Sequence, residues 1–232
     1  MSPRVLVVGD GKMGRTVAQL AAERGCTVVA VYGPAEMARG VSEGIADVAI
    51  EFSEPGAAAA NVRACIASKL PVVSGTTGWD ADLTIVRAEA AQFGGTMLHA
   101  PNFSIGIALF RRLVESAARF TSALPPNTFA LHLVETHHAA KLDAPSGTAV
   151  MLARVAAAVA GHDLQITSVR VGSVPGTHEL VLDAPFEQIH LIHETRDRRV
   201  FAEGATAAAK WLIGRTGWYS FDDYVADQVG TL

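Results

Sequence analysis

The chain has 232 residues, of which 50% are hydrophobic and 18% charged, so it can bury a sizeable core and is not a disordered polymer. A net charge of −4 and a pI near 6.0 exclude a broad electrostatic footprint for nucleic acid or an anionic membrane. No apolar stretch reaches the roughly 18 residues that a membrane-spanning helix needs, and the early run Val5–Val8 is too short for a secretory leader.

In chain order, Arg4–Val8 reads as a β-branched strand that ends in the turn Gly9-Asp10-Gly11-Lys12-Met13-Gly14. Helical spacing follows from Met13 to Arg24, with Val17, Leu20 and Ala21 on one face. Thr27–Tyr32 and Asp47–Phe52 are further apolar runs, and Pro55–Ser68 is an alanine-rich helix. Pro71–Ser74 is a short strand closed by Gly75-Thr76-Thr77-Gly78. A helix over Asp80–Phe93 and a strand over Thr96–His99 follow. Strands that are apolar throughout and alternate with helices predict a parallel, doubly wound sheet covered on both faces, a Rossmann-like α/β domain.

The pattern then changes. Ile105–Phe120 reads as a long helix, and Thr128–Thr136 alternates, with Phe129, Leu131 and Leu133 on one face. Ser146 to Ala160 is helical, Gln165–Val171 is a strand, and His178–Glu194 is strand-like with a break around Pro185. This stretch predicts a second, α+β domain with a mixed sheet. Glu203–Ile213 reads as a helix and Gly214–Tyr219 as a turn. Cys26 and Cys65 lack metal-type spacing and read as thiols in a reducing, cytoplasmic compartment.

Two motifs carry chemistry. The first, Gly9-x-Gly11-x-x-Gly14, lies between a strand and a helix, where glycines allow a tight turn and helix N–H groups face a pyrophosphate. The acidic residue that would hold a ribose at the tip of the second strand is absent from Tyr32-Gly33. Glu36 and Arg39 come a few residues late and read as solvated loop charges, so NADH and NADPH both remain open. The second motif runs Glu135-Thr-His-His-Ala-Ala-Lys-Leu-Asp-Ala-Pro-Ser-Gly-Thr148. Ser146 is a natural helix N-cap, and Gly147 and Thr148 present early-turn N–H groups. With Lys141 and two histidines, this suits a substrate carrying carboxylates and a side chain that delivers a proton. No third residue stands at metal-ligand spacing from the histidines, so no metal is expected.

The second motif closely resembles the signature of bacterial dihydrodipicolinate reductases (4-hydroxy-tetrahydrodipicolinate reductases). The resemblance extends to Gly75–Gly78, to Ala100-Pro101-Asn102-Phe103-Ser104-Ile105-Gly106, and to Phe201–Gly204 with Ala207–Leu212. It implies a dinucleotide-binding domain over 1–103 and 198–232, and a substrate-binding and tetramerisation domain over 104–197. It implies reduction of a cyclic dicarboxylate by NADH or NADPH, in a cytoplasmic homotetramer on the diaminopimelate route to lysine. It casts His137 as proton donor and Lys141 as the lysine that assists protonation and binds substrate. His138, Ser146, Gly147 and Thr148 fall to the substrate. Gly9, Asp10, Gly11, Lys12 and Met13 match the pyrophosphate loop. Gly75, Thr76 and Thr77, with Ala100, Pro101, Asn102 and Phe103, match contacts around the nicotinamide. Asn102-Phe103 and Arg198 match its hinge. A reductase of another small imino or amino acid and a non-catalytic dinucleotide sensor are the competing readings.

Overall fold

The computed structural model describes residues 1–229, so the last three residues of the expected first domain, 230–232, lie outside the described residues. The chain divides into two compact units, Met1–Ser104 with the return of the chain from Arg199, and Ile105–Arg198 between them.

The first unit is built on strands whose composition demands burial on both faces. Strand β1 (Arg4–Val8) buries Val5 to Val8, and β3 (Val48–Glu51) and β4 (Val72–Ser74) are buried along their whole length. With β2 (Thr27–Tyr32), β5 (Thr96–His99) and β10 (Gly217–Ser220), they form a parallel sheet in the order β10-β5-β4-β3-β1-β2. The chain winds from β1 outward to β2 on one side, then returns past β1 to lay down β3, β4 and β5 on the other. At that switch an open α/β sheet places its ligand site, beyond the carboxyl ends of the strands. Helices α1 (Lys12–Glu23), α2 (Pro34–Met37), α3 (Pro55–Ala67), α4 (Asp80–Gln92), α7 (Arg199–Leu212) and α8 (Phe221–Val229) complete the unit. Small side chains let α7 sit close: Ala202, Gly204, Ala205, Ala208 and Ala209 are all buried.

Of the turn expected over Gly214–Tyr219, only the start is a turn: Gly217 to Tyr219 belong to strand β10, and helix α8 follows it. The flanking glycines hide a strand that needs only four residues at the sheet edge. The helix start does carry a signal. Ser220 and Asp223 cap each other, the hydroxyl receiving Asp223 N–H at 3.2 Å and the carboxylate receiving Ser220 N–H at 2.7 Å.

The second unit has helices α5 (Ile105–Ser122) and α6 (Gly147–Ala160) on one face of a mixed sheet. Its strands are β6 (Ala130–His137), β7 (Gln165–Arg170), β8 (Thr177–Ala184) and β9 (Glu187–Glu194), in the order β7-β6-β8-β9. The stretch broken at Pro185 is thus a hairpin, β8 pairing antiparallel with β9. Leu133, Leu180 and Leu182 point into a core with Phe110, Val114 and Leu152. The same alternation carries Glu135, His137 and His178 to that face nearer the strand ends, where all three are buried.

Candidate active site

In the first unit the glycine turn is shaped by steric necessity. Gly9 has φ +111°, and a Cβ there would overlap the Phe52 carbonyl. A Cβ on Gly14 would overlap the Gly9 carbonyl, so helix α1 can start this close to β1 only with glycine at that position. Around Gly11 there is open space. This is the cradle that a pyrophosphate needs, with Gly11 as N-cap and Lys12 and Met13 opening the helix. Asp10 is exposed at the rim. Glu36 is not a free loop charge: its carboxylate folds back onto Gly33 N–H at 3.0 Å, at the tip of β2.

Next to the turn lie the loops after β3, β4 and β5. Gly75 packs against the Phe52 ring, where a Cβ would overlap it, and its N–H reaches Glu51 O at 2.9 Å. Thr76 is buried, Thr77 is exposed, and Trp79 Nε1–H holds Thr76 O at 2.8 Å. Ala100 N–H binds Ser74 O at 3.2 Å, and Pro101 is exposed. Asn102 Oδ1 accepts from Ser104 N–H at 2.8 Å. Phe103 is buried edge-on between Phe52 and Phe221.

In the second unit, strand β6 delivers Glu135 and His137 two residues apart and therefore to one face. Glu135 is wholly buried. Arg170 donates to it at 2.7 Å, Ser146 N–H at 3.4 Å, and His137 Nδ1 lies against its other oxygen. Burial pushes the carboxyl up, but hydrogen bonds from Arg170, Ser168 and His137 outweigh it and bring the pKa down to about 2. An ionised carboxylate only accepts, so Nδ1 carries the imidazole proton and Nε2 is directed away, toward Gly176. Burial lowers the His137 pKa, with the Glu135 hydrogen bond opposing it. His178 stands edge-on to His137 at 5.3 Å, and burial lowers its pKa to about 4.

After β6 the chain turns through His138 to Lys141, whose ammonium pairs with Asp143 at 2.7 Å. Ser146 is buried, and its hydroxyl accepts from Ala149 N–H at 3.2 Å, so it fastens the start of α6. Gly147 is exposed and Thr148 half-buried on the first turn of that helix. Glu135 thus joins His137 to the Ser146 N-cap, and Arg170 ties Asp143 O, and with it the Asp143–Lys141 pair, into the same cluster at 2.6 Å; His138 lies in the turn after β6, and Gly147 and Thr148 open α6.

Comparison with known proteins follows this division of the chain. The family model for the N-terminus of dihydrodipicolinate reductase matches residues 3–103, and the model for its C-terminus matches residues 106–225. The chain belongs to the dihydrodipicolinate reductase family. It is 37% identical to 4-hydroxy-tetrahydrodipicolinate reductase of Haloarcula marismortui, covering 96% of this chain and 98% of that protein. It is 32% identical to the Christiangramia forsetii protein of the same name, with the same coverage. Dipicolinate-bound dihydrodipicolinate reductase from Paenisporosarcina sp. TG-14 shares the fold, with a TM-score of 0.75 at 23% identity over 95% of this chain and 98% of that one.

Two members of the cluster carry no local sequence signal. Arg170 stands opposite His137 in the parallel pairing of β6 with β7, and His178 stands opposite Glu135 in the antiparallel pairing of β6 with β8. Both arrive by sheet pairing from strands remote in sequence, and no short motif marks either one. Glu135, His137 and His178 also lie close enough to share a cation, a grouping that sequence spacing does not suggest. The Arg170 guanidinium already places a positive charge on Glu135, which disfavours a metal there.

Proposed function

We propose that the chain reduces 4-hydroxy-tetrahydrodipicolinate to tetrahydrodipicolinate with a nicotinamide cofactor, on the diaminopimelate route to lysine. The observation that carries this reading is the buried Glu135–His137 pair beside Lys141 and the start of α6, in a member of this reductase family. The cofactor, held by Gly9 to Met13, supplies the hydride. The N–H groups of Gly147 and Thr148, with His138 and Lys141, receive the substrate's carboxylates. Glu135 orients His137, and Lys141 assists protonation. Burial keeps the resting imidazole of His137 neutral at neutral pH, because its pKa lies below the ordinary value. The two carboxylates of a bound substrate raise that pKa, so proton uptake by His137 accompanies substrate binding.

The position of Glu36 supports NADH over NADPH. Its carboxylate sits at the tip of β2, and Asp10 Oδ2 lies 2.7 Å from where a Cβ on Gly33 would be. Two carboxylates there suit a ribose hydroxyl and repel a 2′-phosphate. The sheet face of the second unit turned away from α5 and α6 exposes Val169 and Ile192, which supports the homotetramer that the resemblance implies. Cys26 and Cys65 are unpaired and buried, in keeping with a cytoplasmic setting.

The test is absorbance at 340 nm with NADH and NADPH in parallel, substrate being made in situ from pyruvate and aspartate semialdehyde by a dihydrodipicolinate synthase. Loss of absorbance that requires both enzymes, faster with NADH, is expected. No loss in folded protein that binds the dinucleotide overturns the proposed substrate.

A further inference from the structure

We infer that Glu51 is a positioning residue for the dinucleotide, a buried carboxylate that locks the loops after β3 and β4 into the shape the cofactor requires. The inference rests on the dinucleotide reading of the first unit and adds a residue to it.

Glu51 ends β3 between Val8 of β1 and Ser74 of β4, with no exposed surface. A fold needs no carboxylate there; an apolar side chain would fill the position without the penalty of burying charge. Its hydrogen-bond partners among the described residues are neutral groups. Ser74 Oγ donates at 2.6 Å, Thr76 Oγ1 at 2.7 Å and Ser53 N–H at 3.0 Å, and the Ser53 hydroxyl also donates. A second ring of bonds braces these donors. Ser53 N–H also reaches Thr76 Oγ1 at 2.8 Å, and Asn61 of α3 donates to Ser53 Oγ at 3.0 Å.

Every one of these groups lies on, or braces, a loop at the carboxyl edge of the sheet. Phe52, between Glu51 and Ser53, is the residue against which both Gly9 and Gly75 pack too closely for a Cβ. Fixing Ser53 and Thr76 therefore fixes Phe52, and Phe52 fixes the glycine turn and the Gly75–Gly78 loop together. One carboxylate sets the spacing of both.

The test compares the whole protein with E51Q, T76V and T76S. Each is measured for the Kd of NADH by dinucleotide fluorescence, for the KM of both substrates and for thermal stability. Glutamine keeps the size of the side chain but turns one acceptor into a donor. Valine removes the loop hydroxyl, both as donor to Glu51 and as acceptor of Ser53 N–H, and serine retains it. Folded E51Q and T76V are expected to bind NADH about tenfold or more weakly, the size of one hydrogen bond to a charged group. The KM for the dicarboxylate substrate should stay within about twofold, and T76S, which keeps the hydroxyl, should bind NADH more tightly than T76V. NADH binding at the parent's Kd in folded E51Q overturns the inference. So does equal weakening in T76V and T76S, or unaltered binding in T76V where E51Q fails to fold. Absence of binding of both NADH and NADPH in the parent overturns the dinucleotide reading itself, and the inference with it.

Discussion

Each unit buries a carboxylate, and the surroundings differ. Glu51, in the first unit, is held by hydroxyls and a backbone N–H from adjacent loops. Glu135, in the second, is held by the guanidinium of Arg170 and the imidazole of His137. The first arrangement fixes backbone: its consequence is the shape of two loops and a glycine turn. The second fixes charge and the direction of a proton. A unit that cradles a dinucleotide relies on main-chain N–H groups, whereas one that protonates a substrate needs ionisable side chains whose environment is set.

The contrast can be broken most sharply at His137. H137A is expected to lower kcat by about 10²–10⁴-fold, the usual contribution of a general acid, with NADH binding unchanged. A loss of only a few-fold in steady-state assays would remove His137 from the proton path. At Glu135 the expected effect is on stability. E135Q leaves the Arg170 charge without its partner, and breaking a buried pair in this way costs about 3–5 kcal/mol. Chemical denaturation of the second unit reads it, and an unchanged midpoint would mean that water, not Glu135, solvates Arg170. On the first unit, G14A puts a methyl group into the Gly9 carbonyl. It should weaken NADH at least tenfold in a fluorescence titration while kcat at saturating NADH changes less.

Acid gives the gentlest comparison. His178 titrates near 4 in the folded chain against an ordinary 6.5, so the unfolded state takes up the proton first. The stability this histidine gives above pH 6.5 is therefore lost as pH falls toward 4. The Glu135 pKa of about 2, against 4.5, extends the loss from about pH 4.5 downward. All three tryptophans, Trp79, Trp211 and Trp218, lie in the first unit. Ellipticity should thus begin to fall at a higher pH than tryptophan emission shifts. Coincident transitions would mean that the units unfold together.

Much of this is legible in the sequence because the signals are local. The glycine turn, the strands buried on both faces and the Ser146 cap each declare themselves within a few residues. Glu36 reads wrongly as a free charge because a helix of one turn carries it back to the β2 tip, and distance along the chain hides that fold-back. Glu135 is visible only as the acidic start of a motif. Its meaning depends on Arg170, which reaches it through the parallel pairing of β6 with β7. Glu51 lies inside an apolar run that reads as a strand, and two of its donors, Ser74 and Thr76, come from the next strand and the loop after it. Strand β10 is hidden by its glycines and by its dependence on β5 for pairing.

The order of the chain has a consequence for biosynthesis. Strand β10 and helix α7 complete the first unit, with α7 packed on α1, β3, β4 and β5, yet both are encoded after the whole of the second unit. A ribosome therefore releases every residue of Ile105–Arg198 before the first sheet can acquire its last edge strand. Until then the face that α7 covers stays open, and β5 is the edge of the growing sheet. The inserted unit has all its strands and helices available earlier, so a chain truncated after Arg198 should protect the second unit from protease while leaving the first one cleavable.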